Sequence, residues 1–368
     1  AHVGVIPYDI IHYASKVQGW PELERERRPI ARLISAATVV VFDNLTHTAT
    51  IAAHDQADLE RAERDLSAAV ALQAFVPPDP QALPTDVDVS MSDAEYERVV
   101  ERAKEYIRAG DAFQVVPART FSTPTLGADP FDVYRALRVL SPAPYMYILE
   151  LPERDGAPRI AIAGASPETL VRVEQGRVVL RPIAGTRPRG ASEEEDRKLA
   201  AEMLADPKER AEHVMLIDLA RNDIGRVARP GSVAVPQKMG IDRFSHVMHI
   251  VSEVEGQLAP DQNPWDVIRA TFPAGTLTGA PKVRAMQIIR ELEVRPRGVY
   301  GGALGYVTRS GELDLAICIR TVVMTAGRFE VTAGAGIVAD SVPQLEAQET
   351  RHKARAALAA IHAARTRS

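Results

Sequence analysis

Two pairs of glutamates have the residue type and spacing of a metal-binding site. Glu209 and Glu212 lie in the segment PKERAEH, and Glu346 and Glu349 lie in QLEAQETRHK. Residues three apart share one face of a helix, and carboxylate oxygens are the ligands that hard divalent cations prefer. Two such pairs facing each other can hold a divalent cation and present it to an anionic substrate.

The alternative explanation for these acids is local. Acidic side chains in the first turn of a helix interact favourably with the positive end of the helix macrodipole. Asp206 and Pro207 have the residue types of an N-cap and a first helical residue, which places Glu209 in a first turn. The spacing alone does not decide between a metal site and helix stabilisation.

Two glycine-rich segments, 272–281 (FPAGTLTGAP) and 333–337 (AGAGI), are suited to anion binding. Neither matches the P-loop or the dinucleotide-binding fingerprint. Glycines let backbone amides approach a carboxylate, Thr276 and Thr278 offer hydroxyl donors, and Pro281 begins a predicted helix whose N-terminus attracts anions. The alternative is that these glycines only form tight turns.

Arg320 and His249 are ambiguous from their patterns alone. Arg320 follows an alternating strand, and its planar guanidinium can grip a carboxylate or simply face the solvent. In that strand one face carries Leu313, Leu315, Ile317 and Ile319, and the smaller face, which Arg320 would share, carries Asp314, Ala316 and Cys318. His249 lies in the apolar segment FSHVMHIVSEV, where a histidine is either catalytic or part of a hydrogen-bonded core.

The composition is that of an ordinary globular protein. The chain has 368 residues, 46% of them hydrophobic, and a formal net charge of -5 without a basic cluster, which argues against a nucleic-acid or membrane surface. Cys318 is the only cysteine, which excludes an intrachain disulfide and a multi-cysteine zinc site and favours the cytoplasm. The chain begins at Ala1 in the strand-like segment AHVGVIPYD, so we expect part of the natural N-terminus to be absent.

Strand runs broken by long helices predict an α+β protein. The predicted helices are 55–75, 92–109, 192–204, 207–222, 281–292 and 343–364. The predicted strands are 37–42, 48–53, 112–121, 145–151, 159–163, 169–173, 177–181, 232–237, 247–255, 301–308, 313–324 and 329–334. A proline-rich stretch, 76–90, predicts a linker between an N-terminal part, 1–75, which we expect to be the truncated start of the same fold, and a catalytic region, 91–368.

Seven ordered segments closely resemble the chorismate-utilising enzymes, most closely the anthranilate synthase component I group. They are PIAGTRPRG (182–190), ERAEHVMLIDLARNDIGRVARPGSV (209–233), RFSHVMHIVS (243–252), FPAGTLTGAPKVRAMQII (272–289), VYGGALGYV (299–307), LAICIRT (315–321) and AGAGIVADSVPQLEAQETRHKA (333–354). The resemblance covers essentially the whole chain and is weakest before about residue 90. It implies antiparallel β-sheets packed as a sandwich with flanking helices, and an active site in a cleft.

The resemblance also implies roles for matching residues. Glu212 and Glu349 resemble direct Mg²⁺ ligands that Glu209 and Glu346 support, partly through water. Tyr300, Arg320 and the backbone amides of Gly334, Ala335 and Gly336 match contacts to the enolpyruvyl carboxylate of chorismate; Thr276 and Lys353 match contacts to its ring carboxylate; Gly185 and Thr186 belong to a further substrate-binding segment. Glu168 matches the acid that protonates the departing C4 hydroxyl, and His249 matches an active-site histidine that serves either proton transfer or orientation.

Two positions distinguish the reactions of this family. Where water-using members carry an activating lysine, this chain has Gln114, and where the aminodeoxychorismate synthases carry a nucleophilic lysine, it has Ala184. Since ammonia needs no deprotonation before it attacks, these residues favour amination of chorismate at C2 followed by pyruvate elimination to anthranilate. The alternatives are a 2-amino-2-deoxyisochorismate synthase, which stops before pyruvate loss, and a catalytically silent binding subunit.

Two partners follow from the resemblance. Members of the family usually obtain ammonia from a glutamine amidotransferase, and no nucleophilic cysteine for that chemistry is available in this chain, so we expect a separate amidotransferase subunit. The segment 141–147 (SPAPYMY) resembles a tryptophan-responsive motif, which makes Pro142, Tyr145 and Met146 candidate contacts for feedback inhibition. The second motif of that response, an LLES-type segment, is missing from the sequence.

Overall fold

Two antiparallel sheets form the frame of the protein. The computed structural model describes residues 1–14, 17, 31–68, 76–154, 156–244, 247–325 and 327–367. In chain order its strands are β1 (His2–Ile6), β2 (Arg32–Ser35), β3 (Thr38–Asp43), β4 (Thr48–Ala53), β5 (Asp88–Val89), β6 (Gln114–Val115), β7 (Ala118–Pro124), β8 (Tyr145–Leu151), β9 (Ile160–Ser166), β10 (Thr169–Glu174), β11 (Arg177–Leu180), β12 (Ile183–Pro188), β13 (Ala234–Arg243), β14 (Val247–Gln257), β15 (Gly279–Ala280), β16 (Ala303–Val307), β17 (Leu313–Ile317), β18 (Thr321–Thr325) and β19 (Arg328–Gly334).

Long helices lie between the strand runs. The α-helices are α1 (Ile11–Ala14), α2 (Gln56–Ser67), α3 (Asp93–Arg108), α4 (Pro130–Leu140), α5 (Glu193–Ala205), α6 (Pro207–Gly225), α7 (Pro264–Thr271), α8 (Lys282–Leu292) and α9 (Pro343–Arg365), with short 3-10 turns at Tyr8–Ile10 and Gly275–Leu277. Within the described ranges, the larger sheet has the order β12-β14-β11-β10-β17-β16-β1-β2, with β13 also paired to β14. The smaller sheet has the order β5-β7-β19-β18-β9-β8.

The two sheets pack face to face with helices on both outer sides. Val5 and Leu304 of the larger sheet share one buried cluster with Leu149 and Ile162 of the smaller sheet. Helices α6 and α7 pack on the outer face of the larger sheet, and α4 and α9 pack on the outer face of the smaller one. The predicted α+β sandwich with flanking helices is therefore confirmed.

The N-terminal strand belongs to the larger sheet. Strand β1 pairs antiparallel with β16, with His2 opposite Val307. At the end of the predicted linker, Asp88 and Val89 pair with Ser122 and Phe121 of the smaller sheet. The proposed boundaries at 75 and 90 remain a prediction.

Two predicted strands are each divided into two shorter strands. The run 313–324 forms two strands in different sheets, because β17 ends at Ile317 and β18 begins at Thr321. Arg320, at this crossover, has a φ of 51°. The run 112–121 is likewise divided into β6 and β7, with Pro117 between them, where proline has no N–H for a ladder.

Some elements were not predicted. Helices α4 and α7 each begin with a proline that follows a capping residue, Asp129 or Asn263, and this signal is present in the sequence. Strand β12 was also missed. The predicted helix 55–75 is observed as α2 up to Ser67, and its last part, 69–75, lies outside the described residues.

A buried ion pair holds together the segments that surround the centre of the molecule. Arg297 bonds Glu293 through Nη2 at 2.6 Å and Nε at 3.0 Å, and both side chains are almost fully buried. The guanidinium also donates to the carbonyl oxygens of Leu277 at 2.7 Å and Val116 at 2.5 Å, while Glu293 accepts the amide of Ala118 at 2.9 Å. One pair thus joins three chain segments that are far apart in sequence.

Removing one partner of this pair should destabilise the protein strongly. Arg297→Met leaves Glu293 buried without its cation, and we expect the free energy of unfolding to fall by about 3–5 kcal/mol, measured by urea denaturation. Arg297→Met combined with Glu293→Gln should recover part of the loss. The matched control is Arg197→Met, since Arg197 pairs with Glu193 at the same spacing but on the surface and its loss should change stability little. Equal effects of the two arginine substitutions would contradict this assignment.

Candidate active site

A cavity of about 370 Å³ opens where the two sheets meet helices α6 and α9. Thirteen of the residues selected from the sequence line it: Glu168, Gly185, Thr186, Glu212, His249, Thr276, Tyr300, Arg320, Gly334, Gly336, Glu346, Glu349 and Lys353. These residues come from both sheets, from two helices and from the loops between them. The fold therefore brings together residues that are up to 185 positions apart in the chain.

Helix capping positions the first glutamate pair. Asp206 is the N-cap of α6, and its carboxylate accepts the amides of Lys208 at 2.9 Å and Glu209 at 3.3 Å. Pro207 occupies the first helical position, as predicted. Both glutamates consequently lie in the first two turns of α6, with Glu212 turned toward the cavity.

Three of the four glutamates, Glu212, Glu346 and Glu349, line the cavity, and the protein's own groups hold all four. Glu212 accepts a hydrogen bond of 3.0 Å from Gln114, and Glu349 pairs with Lys353 at 2.5 Å. Glu209 pairs with Arg187 at 2.9 Å and lies just outside the cavity lining. In the described part of the chain, no three His, Cys, Asp or Glu side chains form a ready-made metal cluster.

Partial burial affects the remaining glutamate. Burial raises the pKa of Glu346, while a hydrogen bond from Ser341 and the positive charges of Lys353 and Lys208 lower it. Glu349, one helical turn further along α9, raises it through charge repulsion. Carboxylates this close therefore repel each other, and a cation between them would relieve that repulsion.

A phenol and a guanidinium form another wall of the cavity. Burial raises the pKa of Tyr300 to about 12, so its hydroxyl stays protonated at neutral pH. Burial also lowers the pKa of Arg320, and electrostatic interactions with Tyr300 and Glu349 oppose that shift. A Cβ atom on Gly334 would lie 2.9 Å from the Tyr300 hydroxyl and 2.6 Å from the Pro117 carbonyl oxygen, so glycine is needed for this close approach.

A carboxyl group and a hydroxyl group lie side by side near the cavity floor. Thr276 donates a hydrogen bond of 2.8 Å to Glu168 Oε1. Burial raises the pKa of Glu168 to about 7, although this hydrogen bond and the charge of Lys353 lower it. Glu168 can therefore carry a proton near neutral pH, which is the property a general acid requires.

His249 has a fixed tautomer. Its Nδ1 lies 2.9 Å from the carbonyl oxygen of Gly185 and 3.1 Å from the hydroxyl oxygen of Thr186. Since a carbonyl oxygen only accepts hydrogen bonds, Nδ1 carries the proton. In the neutral ring, Nε2 then has a free lone pair that can accept a proton.

Some of the site residues predicted from the sequence do not line the cavity. Ala335 is outside the cavity lining, and its amide donates to the Tyr96 hydroxyl at 3.2 Å and to the Pro117 carbonyl oxygen at 3.3 Å. A contact between this amide and a substrate carboxylate remains a prediction. Pro142, Tyr145 and Met146 also lie outside the cavity. The Tyr145 hydroxyl donates to Asp314 across the two sheets at 2.8 Å, and Met146 packs against the cluster under α4 and α9. A tryptophan site at these residues remains a prediction.

Several residues of the cavity lining were not predicted from the sequence as site residues. Gln114 and Ala184 were used only to distinguish reactions, yet both line the cavity. Lys208, Thr332 and Ser341 line it as well and were not selected. The position of Lys208 next to the first glutamate pair was a usable signal, whereas Thr332 and Ser341 become neighbours of the cavity only through folding.

The pKa of Glu168 has a measurable consequence for stability. Between pH 4.5, where an unfolded glutamate titrates, and about pH 7, the folded state holds a proton that the unfolded chain has lost. Raising the pH through this window should therefore lower the free energy of unfolding of the unsubstituted protein relative to Glu168→Gln. Urea denaturation from pH 4.5 to pH 8 measures the difference. The control, Glu153→Gln at an exposed site, should follow the unsubstituted protein; parallel curves for Glu168→Gln would refute the shift.

No helix in the described ranges is both long enough and apolar enough to cross a lipid bilayer.

Comparisons with known proteins agree with this arrangement. Residues 2–359 match the family model described as chorismate binding enzyme. The chain is 47% identical over 372 residues to anthranilate synthase component 1 of Pseudomonas putida, covering 98% of this chain and 74% of that protein. It is 56% identical over 272 residues to the protein of the same name from Mycolicibacterium smegmatis, covering 74% of this chain and 52% of that protein.

A solved structure supports the same grouping. The crystal structure of anthranilate synthase component I from Streptococcus pneumoniae superimposes with a TM-score of 0.83 at 38% identity, covering 97% of this chain and 80% of that one. The matched region thus spans between about half and four fifths of the relatives' lengths. The family match over nearly the whole length and the identity to these relatives lead to one conclusion: the chain belongs to the chorismate-binding enzyme family, in its anthranilate synthase component I group.

Proposed function

We propose that the chain binds chorismate and converts it with ammonia and a bound Mg²⁺ ion to anthranilate and pyruvate, the first step of tryptophan biosynthesis. The observation that carries this proposal is the arrangement of charges around one cavity. Glu212, Glu346 and Glu349 border one part of it, and Arg320 with Tyr300 borders another. Chorismate carries one carboxylate on its ring and a second on its enolpyruvyl arm, so a metal-bearing wall and a cationic wall can each bind one of them.

The donor set fits Mg²⁺. Hard carboxylate oxygens suit this ion, which takes few protein ligands and keeps several waters. Glu212 and Glu349 would hold it, with Glu209 and Glu346 in support. The present partners of Glu212 and Glu349 are an amide and an ammonium, which a divalent cation can replace as partners of the carboxylates. When bound, the ion would supply Lewis-acid polarisation and charge neutralisation at the ring carboxylate.

The remaining residues bind and orient the substrate. Arg320 and the protonated Tyr300 hydroxyl would take the enolpyruvyl carboxylate. Thr276 and Lys353 would contact the ring carboxylate. Because Gly334 has no side chain, its backbone can lie close to the Tyr300 hydroxyl without displacing it from the proposed binding site of the enolpyruvyl carboxylate.

The proposed reaction has two stages. Ammonia forms a bond to C2 as the C4 hydroxyl leaves with a proton from Glu168, which gives water and an aminated diene. Loss of the C2 proton and of the enolpyruvyl group, which takes up a proton and is released as pyruvate, then makes the ring aromatic. The lone pair on His249 Nε2 is suited to accept a proton during these steps.

The chemistry of positions 114 and 184 supports ammonia as the nucleophile. Both side chains line the cavity, and neither carries an amine that could activate water or attack the ring. Gln114 is buried and donates to Glu212, so its amide is already engaged. Ammonia needs no such base, because it carries a lone pair at the moment of attack.

Product analysis tests the function. Incubation with chorismate, an ammonium salt at alkaline pH and Mg²⁺ should yield anthranilate, followed by its fluorescence, together with an equal amount of pyruvate. An aminated product that is not aromatic would instead identify a 2-amino-2-deoxyisochorismate synthase, and no product would identify a silent binding subunit. Exhaustive chelation should abolish turnover, and readdition of Mg²⁺ should restore it. Undiminished activity after chelation would contradict the metal assignment.

A separate glutamine amidotransferase subunit is the proposed source of ammonia. The one cysteine of the sequence, Cys318, is buried, and burial raises its thiol pKa to about 12, so it does not supply the thiolate that glutamine hydrolysis needs.

Replacing the nitrogen source tests this subunit assignment. The purified chain should form anthranilate with ammonium and should form none with glutamine, because glutamine hydrolysis requires the partner. Cys318→Ser, assayed with ammonium, serves as the control for integrity of the fold. Glutamine-dependent product from the purified chain would contradict the proposal. Tryptophan feedback, which the sequence resemblance implies, and a cytoplasmic location, which the single cysteine favours, remain predictions.

A further inference from the structure

Lys208 lies at the cavity and has no role in the reaction proposed above. Its side chain lines the cavity and is exposed. It is the second residue of α6, directly before Glu209 and one helical turn before Glu212. Among the described residues its ammonium has no hydrogen bond and no ion pair, and its positive charge acts on Glu346.

The position of Lys208 is unfavourable for the helix that contains it. The N-terminus of a helix carries a partial positive charge, so a cation in the first turn is destabilising. Asp206 caps this end, and its carboxylate is occupied by the amides of Lys208 and Glu209. A residue that conflicts with local preference and has no structural partner indicates a functional role.

The other charged residues of the cavity lining are compatible with a role for Lys208 in attracting an anionic substrate. Its lining carries four carboxyl groups, Glu168, Glu212, Glu346 and Glu349, and three cationic side chains, Lys208, Arg320 and Lys353. The Lys353 ammonium is already engaged by Glu349 at 2.5 Å and by the Gly334 carbonyl oxygen at 3.0 Å. Lys208, by contrast, is exposed and has no ion pair among the described residues, and such a cation attracts a substrate with two carboxylates.

We propose that Lys208 is a substrate-binding residue whose ammonium attracts the dianionic substrate to the cavity and pairs with one of its carboxylates at the opening. This inference rests on the proposed function, because it requires a substrate of that charge. It distinguishes Lys208 from Arg320, which lies deeper in the cavity wall. The ammonium acts through its charge, so the effect must depend on ionic strength.

Neutralising this lysine tests the inference. Lys208→Gln should raise the chorismate KM about three- to fivefold at low ionic strength, with a smaller change in kcat, and the difference should shrink at high salt. Lys208→Arg should behave like the unsubstituted protein. Since the substitution removes an adverse charge from the helix N-terminus, the Tm of Lys208→Gln should be equal or higher. A structural lysine would show the opposite change in Tm.

The matched control is Lys198→Gln. Lys198 lies on the neighbouring helix α5, is exposed and faces Glu202 at 4.0 Å, so its loss should leave both KM and its salt dependence unchanged. An unchanged KM in Lys208→Gln, or an equal rise in Lys198→Gln, would overturn the inference. Chorismate binding is also measured by calorimetry with both proteins. If the unsubstituted protein binds chorismate without turnover, only the proposed reaction is refuted. If the unsubstituted protein and Lys208→Gln bind chorismate with equal affinity, only the role of Lys208 is refuted. If the unsubstituted protein does not bind chorismate, both are refuted.

Discussion

The buried Glu293–Arg297 pair is the interaction on which the geometry of the cavity depends. Burying two charges is costly unless each finds hydrogen-bond partners, and here every partner is a segment that contributes to the cavity. Arg297 holds the Leu277 carbonyl next to Thr276, and its guanidinium lies 5.6 Å from the ring of Tyr300. Its bond to Val116 fixes the segment that follows Gln114. The segments that carry Gln114, Thr276 and Tyr300 are thus anchored to one ion pair, and neither residue of that pair lines the cavity.

A second constraint is charge compensation within the cavity. Acidic residues in and beside the cavity each have a partner within the protein: Gln114 bonds Glu212, Lys353 pairs with Glu349, and Arg187 pairs with Glu209. This arrangement lowers the electrostatic cost of gathering carboxylates in one place. A metal ion that binds these carboxylates would have to displace their present partners, and the free energy of metal binding would include the cost of breaking those contacts.

The sequence predicted much of this organisation, and for identifiable reasons. The glutamate pairs, the cap at Asp206 and the proline at position 207 depend only on residues close to one another in the chain, so they can be predicted without knowledge of the tertiary structure. The sandwich followed from the family resemblance. The path of the chain around Arg320 did not, because the alternation of Leu313, Leu315 and Ile317 continues smoothly into the next segment and nothing in it marks a change of sheet. The hydrogen bonds of the Ala335 amide were not predictable for a similar reason, since a glycine-rich motif does not reveal which amides bond within the protein.

Arg320 lies where the chain crosses from the larger sheet to the smaller one, so its position depends on how the two sheets are aligned. Its backbone lies between two strands of different layers: the strand before it is hydrogen-bonded within the larger sheet, and the strand after it within the smaller one. Its carbonyl oxygen accepts the amide of Ala165, and its left-handed conformation turns the chain between the layers. Any sliding of one layer over the other would therefore displace the guanidinium relative to the helices bearing the acids. The alignment of the sandwich sets the span between the two ends of the cavity, and hence the length of molecule that fits there.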